Sequence, residues 1–116
     1  MDHRKKYKKL SLPTDQRLAL LKNLSVALVD NQVIVTTSTR AKSLKMFFEK
    51  IITIAKTDTV HNRRKVFKII NNANFVKSVF DLAKTISRSS GYLKVNKCGF
   101  RKGDAAELSQ VAILTD

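Results

Sequence analysis

The sequence predicts an α+β fold in two layers, with a small mixed sheet covered by helices. Three observations lead there. A β-branched run, Val33-Ile34-Val35-Thr36-Thr37, lies between stretches of helical periodicity. Three successive segments after it repeat apolar residues at helical spacing. The last quarter then changes to two strand-like runs around a glycine-bracketed basic tip. The expected order is helix, strand, three helices, two strands.

In chain order, the first helix begins at Thr14, a good N-cap, with Asp15 in its first turn and Pro13 just outside. Leu18, Leu21, Leu24 and Leu28 form its stripe, widened by Leu20 and Val29. A stripe that broad is expected to meet more than one neighbour. Asp30-Asn31-Gln32 ends the helix. Val33–Thr37 is too short for a helix and reads as a buried strand. From Ser38 or Thr39, Ala41, Leu44, Phe48, Ile51 and Ala55 fall at i, i+3, i+7, i+10 and i+14, with Phe47 and Ile52 beside them.

Thr57-Asp58 is expected to cap a third helix with Val60, Phe67 and Ile70 inward. Asn74 is the candidate cap of a fourth, carrying Phe75, Val76, Val79, Phe80, Ala83 and Ile86. Tyr92–Val95 and Leu108–Leu114 read as a hairpin with a long loop at Cys98–Asp104. No repeat or linker divides the chain. The expected organisation is a basic N-terminal arm over 1–13 and one globular domain over 14–116.

The charge is the most unusual property of the chain. Lys and Arg number 23 against 9 Asp and Glu in 116 residues, a net +14. A compact domain so charged repels itself, and a polyanion relieves that repulsion. Nucleic acid is the first candidate partner, because phosphate neutralisation releases counterions. His3, Arg4, Lys5, Lys6, Tyr7, Lys8 and Lys9 form an arm with nothing to seat it in a core. Arg17 and Lys22, then His61, Arg63 and Arg64, then Lys94, Lys97, Arg101 and Lys102 spread the charge along the domain. The group at residues 61–64 falls in the first turns of its helix, where unpaired N–H groups and the dipole also favour phosphate. Tyr7 and Phe100 are the candidates for stacking on an unpaired base, whereas Tyr92 suits the core equally well.

Other classes find less support. A single cysteine, Cys98, excludes an intramolecular disulfide and a Cys-rich zinc site. The two histidines, His3 and His61, have no partner at metal-ligand spacing. The acids sit singly, with Asp15, Asp30, Asp58 and Asp104 explained as caps or turn residues. No P-loop, GxSxG or GxGxxG occurs. No enzyme, cofactor, metal or small-molecule substrate is therefore expected. No run approaches 18 apolar residues and the N-terminus lacks the apolar core of a secretory signal, so nothing is expected to span a membrane. An anionic membrane surface is the second candidate partner for the charge, but the apolar faces are expected to be consumed by the fold, so no membrane partner is expected.

Residues along nearly the whole chain carry a family resemblance. They are Met1-x-His3, Lys8-Lys9-Leu10, Arg17-x-Ala19, Asn23-Leu24, Val33-x-Val35-Thr36-Thr37 and Ala41-Lys42. They continue with Glu49-Lys50-x-Ile52-Thr53-x-Ala55-Lys56, His61-x-Arg63-Arg64, Gly91-Tyr92 and Arg101-Lys102-Gly103-Asp104-x-Ala106. In this order and spacing the chain resembles the bacterial-type large ribosomal subunit protein seventeen family. The departures are Asp2, Ser11-Leu12, Gln16, Lys22, Met46, Lys94, Glu107 and Ala112. Lys22 and Lys94 stand where the family has arginines, which keeps charge and loses bidentate geometry.

The resemblance implies a structural constituent of the large ribosomal subunit, cytoplasmic and without catalysis. Its basic arm would extend into large-subunit ribosomal RNA. Its place would be the solvent side of the subunit near the tunnel exit, among neighbouring ribosomal proteins, as one copy rather than a homo-oligomer. The rival reading is a free-standing DNA- or RNA-binding regulator, for which no helix-turn-helix pair or RNP-type aromatic strand is evident.

Overall fold

A computed structural model describes residues 13–114. The elements are α1 (Thr14–Asn31), β1 (Val33–Thr37), α2 (Ser38–Ala55), α3 (Val60–Ile69), α4 (Ala73–Thr85), β2 (Leu93–Phe100) and β3 (Glu107–Ile113). Class and element order are as the sequence predicts.

The sheet is antiparallel throughout, in the order β1-β3-β2, and not mixed as expected. Three helices separate β1 from the hairpin, so its strands could return beside β1 in either sense. Which sense they take follows from β3, and not β2, lying next to β1. The helices cover one face. Val111, Ile113, Ser109 and Leu93 are buried there, while Lys94, Asn96 and Gln110 point the other way into solvent.

α2 is the centre of the core, as its spacing predicts. Ala41, Leu44, Phe48, Ile51, Ile52 and Ala55 are all buried along it. It touches α1, α3, α4 and all three strands. α1 packs on α2, α4, β1 and β3, through the line Leu21, Ser25 and Leu28. Leu18, one turn before that line, is 40% exposed. Ser25 is tolerated at full burial because its hydroxyl donates to the Leu21 carbonyl at 2.8 Å. The helix closes on Gln32 in a left-handed conformation, φ 63°, with its N–H on the Leu28 carbonyl.

β1 is an edge strand, not the buried strand expected. Ile34 and Thr36 are half-buried on the helix side, whereas Val33 and Val35 are 44% and 57% exposed. A β-branched run fits a strand covered on one face as well as one covered on two. Val33 pairs with Ala112, and the Ile113 N–H donates to the Gln32 carbonyl at 3.1 Å. By the alternation of an antiparallel ladder, Ile34 and Thr36 bond to β3. The backbone groups of Val33, Val35 and Thr37 then face the open edge.

α3 starts later than expected and is turned differently. Its cap is Thr59, whose hydroxyl accepts from the Asn62 N–H at 3.1 Å, and not Thr57-Asp58. Asn62 also donates its side-chain amide to the Ile54 and Thr57 carbonyls, which completes the end of α2. This orientation puts Val66 and Ile70 in the core. Val60 and Phe67, expected inward, are 66% and 44% exposed. α4 is capped by Asn72, which accepts from the Phe75 N–H at 3.1 Å, rather than by Asn74. Its Phe75, Val76, Val79, Phe80 and Ala83 are buried as predicted.

β2 runs on to Phe100, so the loop is shorter than expected, spanning residues 101–106. The register steps between Lys97 and Gly99, leaving Cys98 as a bulge.

Candidate nucleic-acid interface

His3, Arg4, Lys5, Lys6, Tyr7, Lys8 and Lys9 lie outside the described residues. Within the domain, the expected cations fall at separate places. Arg17 and Lys22 are half-buried on α1, and Lys94 is exposed on the open face of the sheet. His61, Arg63 and Arg64 sit on the first turns of α3, just past the end of α2. Lys97, Phe100, Arg101 and Lys102 belong to the hairpin, which lies by the start of α2. The 18 residues of α2 thus hold these last two groups apart by about 27 Å.

At the α3 end, Arg63 is committed to the protein. Its Nε donates to Asp58 Oδ1 at 2.7 Å and its Nη2 to Asp58 Oδ2 at 2.9 Å. The guanidinium also lies 4.9 Å from the centroid of the Phe80 ring. The Arg63 hydrogen bonds hold the Asp58 carboxyl at about 2, down from its ordinary 3.8, with Lys84 at 3.5 Å adding to the effect. Asp58 in turn raises the Arg63 pKa. Arg64 and His61 are exposed, and Arg64, unlike Arg63, has no carboxylate partner among the described residues.

The hairpin end shows the same division. Arg101 donates Nε to Asp104 Oδ1 at 3.1 Å and forms a second bond through Nη2 to Oδ2. Asp104 also accepts from the Ala106 N–H at 3.2 Å. Those two contacts, the Arg101 bond first, bring its carboxyl from 3.8 to about 2. Asp104 is thus a turn and ion-pair residue, as its position suggested. Lys102 stands at the tip with no carboxylate partner among the described residues, beside Phe100 at 70% exposure. Tyr92, by contrast, is core: it is 2% exposed, and its hydroxyl donates to the Ser89 carbonyl at 2.8 Å.

A cleft of about 360 Å³ lies between the hairpin and the start of α2, lined by Thr37, Ser38, Thr39, Lys42, Lys97, Ala106 and Glu107. Glu107 is held below its ordinary pKa by the Ser38 hydroxyl, with help from Lys97 at 3.4 Å. Lys42 was not among the expected site residues, yet it shares this cleft with Lys97. Its place in the first turns of a helix was the signal available. Val60 and Phe67 were also missed, because the helical period alone put them inward.

Among the described residues no group of three or more His, Cys, Asp or Glu could hold a metal ion. No helix among them is long and apolar enough to cross a membrane.

A family model described as "Ribosomal protein L17" matches residues 20–114. A protein of Dictyoglomus thermophilum named "Large ribosomal subunit protein bL17" is 47% identical over 116 residues, covering 98% of this chain and all of the relative. Its namesake from Dictyoglomus turgidum is 48% identical over 109 residues, 92% of this chain and 94% of its own. The namesake from Fusobacterium nucleatum is 37% identical over 116 residues, 98% of this chain.

Proposed function

The chain belongs to the ribosomal protein L17 family, and on that premise we propose that it binds and stabilises large-subunit ribosomal RNA as a structural constituent of the subunit. The family is one of ribosomal structural proteins and not of enzymes, and its members are large-subunit constituents in the cytoplasm.

The observation that carries the RNA reading is the surplus of unpaired cations. Among the described residues, ion pairs engage Arg63, Lys84, Lys97 and Arg101. That leaves Arg64, Lys65 and Lys68 on α3, Arg40 and Lys45 on α2, and Lys102 on the hairpin without a carboxylate partner among the described residues, while Lys42 lies near Glu107. Cations held apart by a rigid helix suit phosphates on separate RNA segments, which would otherwise repel one another. The arm adds Arg4, Lys5, Lys6, Lys8 and Lys9 to this set. Arg63 and Arg101 act chiefly as struts that shape their patches. Neighbouring ribosomal proteins complete the surroundings, on the solvent side near the tunnel exit.

The test is sedimentation of lysate through a sucrose gradient, with the chain followed by mass spectrometry before and after a high-salt wash. Stoichiometric migration with the large subunit that survives the wash is expected. Release into the top fractions at modest salt would favour the free-standing DNA- or RNA-binding regulator.

A further inference from the structure

The outward face of α3 carries an aromatic ring that lies outside the buried core. At about 100° per residue, Val60, Arg64 and Phe67 fall within about 60° of one another, with Lys68 and His61 alongside. Phe67 is 44% exposed and Val60 66%, while Val66 of the same helix is fully buried. The core contact of α3 is thus made chiefly by Val66, and Phe67 leaves much of its ring to solvent. An exposed phenylalanine on a short helix costs solvation and contributes little to helix propensity.

We infer that this face is a base-stacking platform: Phe67 receives an unpaired base of the large-subunit RNA, and Arg64 and Lys68, along one flank of the ring, hold the adjoining phosphates. The inference rests on the RNA reading above and assigns a residue and a mode of contact to one patch. Charge selects the occupant. Arg64 and Lys68 have no carboxylate partner among the described residues, and the nearby Asp58 is already taken by Arg63 and Lys84. A second copy of the chain would bring like charge against like. A protein partner would find two apolar side chains beside an arginine, far short of the roughly 1,000 Å² that a specific interface buries. A single ring with cations along one side is what an unpaired nucleotide needs, with a π-face for the base and positive charge for its backbone.

The test uses the full chain and large-subunit RNA transcribed in vitro. Binding is measured over a range of salt for wild type, Phe67→Leu, Phe67→Tyr and Arg64→Gln, with circular dichroism to confirm folding. Ultraviolet cross-linking of the wild-type complex is mapped by mass spectrometry. Phe67→Leu, which keeps apolar bulk and loses the ring, is expected to weaken binding about 5- to 150-fold with an unchanged salt slope. Phe67→Tyr should restore binding, and a cross-link should map to Phe67. Wild-type affinity in Phe67→Leu, with no cross-link within residues 60–68, overturns the platform and leaves the RNA reading standing. Full RNA affinity in Phe67→Leu, but poor incorporation into reconstituted subunits, overturns it in favour of a protein contact. A wild-type chain that binds no RNA overturns both readings.

Discussion

Asp58 and Arg63 face each other across the turn that opens α3 and join at two points, 2.7 and 2.9 Å, with the guanidinium lying over Phe80. The pair is five residues apart, and Asp58 precedes the helix. It closes a non-helical turn, and is not one of the exposed i, i+4 pairs that helices carry on their surfaces. An arginine so held has its charge balanced by Asp58 and two of its five N–H donors engaged, whereas its neighbour Arg64 has no carboxylate partner among the described residues. Replacing each by glutamine should separate the two roles. Arg64→Gln is expected to lower the slope of log K against log salt for RNA binding by about 0.7–0.9, the value of one phosphate contact. Arg63→Gln should leave that slope near wild type while lowering the thermal midpoint. Equal loss of slope in both variants would mean that Arg63 also reaches RNA.

The same pair sets a dependence on acid. Asp58 and Asp104 each titrate near 2 in the folded chain against an ordinary 3.8. A carboxylate depressed on folding adds stability that is fully present above about 4 and is lost as pH falls toward 2. The thermal midpoint should therefore drop over that window. In the double variant Asp58→Asn, Asp104→Asn, the midpoint should start lower at pH 6 and fall less steeply. An equally steep fall would place the acid sensitivity elsewhere.

Ser38 and Ser109 test the join between the start of α2 and the sheet. Their hydroxyls are 2.7 Å apart, and Ser38 also lies 3.0 Å from Glu107 Oε1. Ser109 is 1% exposed. Ser109→Ala leaves Ser38 with Glu107 and should cost about 0.5–1.5 kcal/mol. Ser38→Ala strands a buried hydroxyl and should cost more, about 1–3 kcal/mol. Urea denaturation of the two variants gives the order directly, and the reverse order would refute the assignment.

The arm can be weighed by its removal. Five fixed charges lie within residues 4–9. If they sit on phosphates, a chain lacking residues 1–9 should lose about 3 to 5 units of salt slope. An unchanged slope would mean the arm plays no part in RNA binding.

How much of this was legible in the sequence differs from element to element. α2 could be read because its apolar residues keep a single helical period over 18 positions. α3 was misturned because Thr57, Asp58 and Thr59 are all cap formers in succession. What decides among them is the reach of Asn62 back to two carbonyls of the preceding helix end, a contact without a local sequence signal. The run Asn71-Asn72-Ala73-Asn74 concealed its true cap in the same way. The sense of the sheet depended on which hairpin strand met β1, which is a tertiary choice. At the candidate interface, the positions of the cations were plain from the sequence. Their division into struts and unpaired charges was not, because Asp58 meets Arg63 only once the turn before α3 has formed.

The sheet has two margins, and they have different futures when no RNA is at hand. The β2 margin carries Lys94 and Lys97 and a bulge at Cys98, features that discourage another strand from joining. The β1 margin has no charge from Val33 to Thr37, and its two exposed valines lie beside backbone groups with no strand partner among the described residues. Surplus copies would meet each other along that margin, growing sheet against sheet. In protein made without RNA, edge-to-edge pairing of copies is therefore expected to begin at this five-residue margin and not at the charged, bulged one.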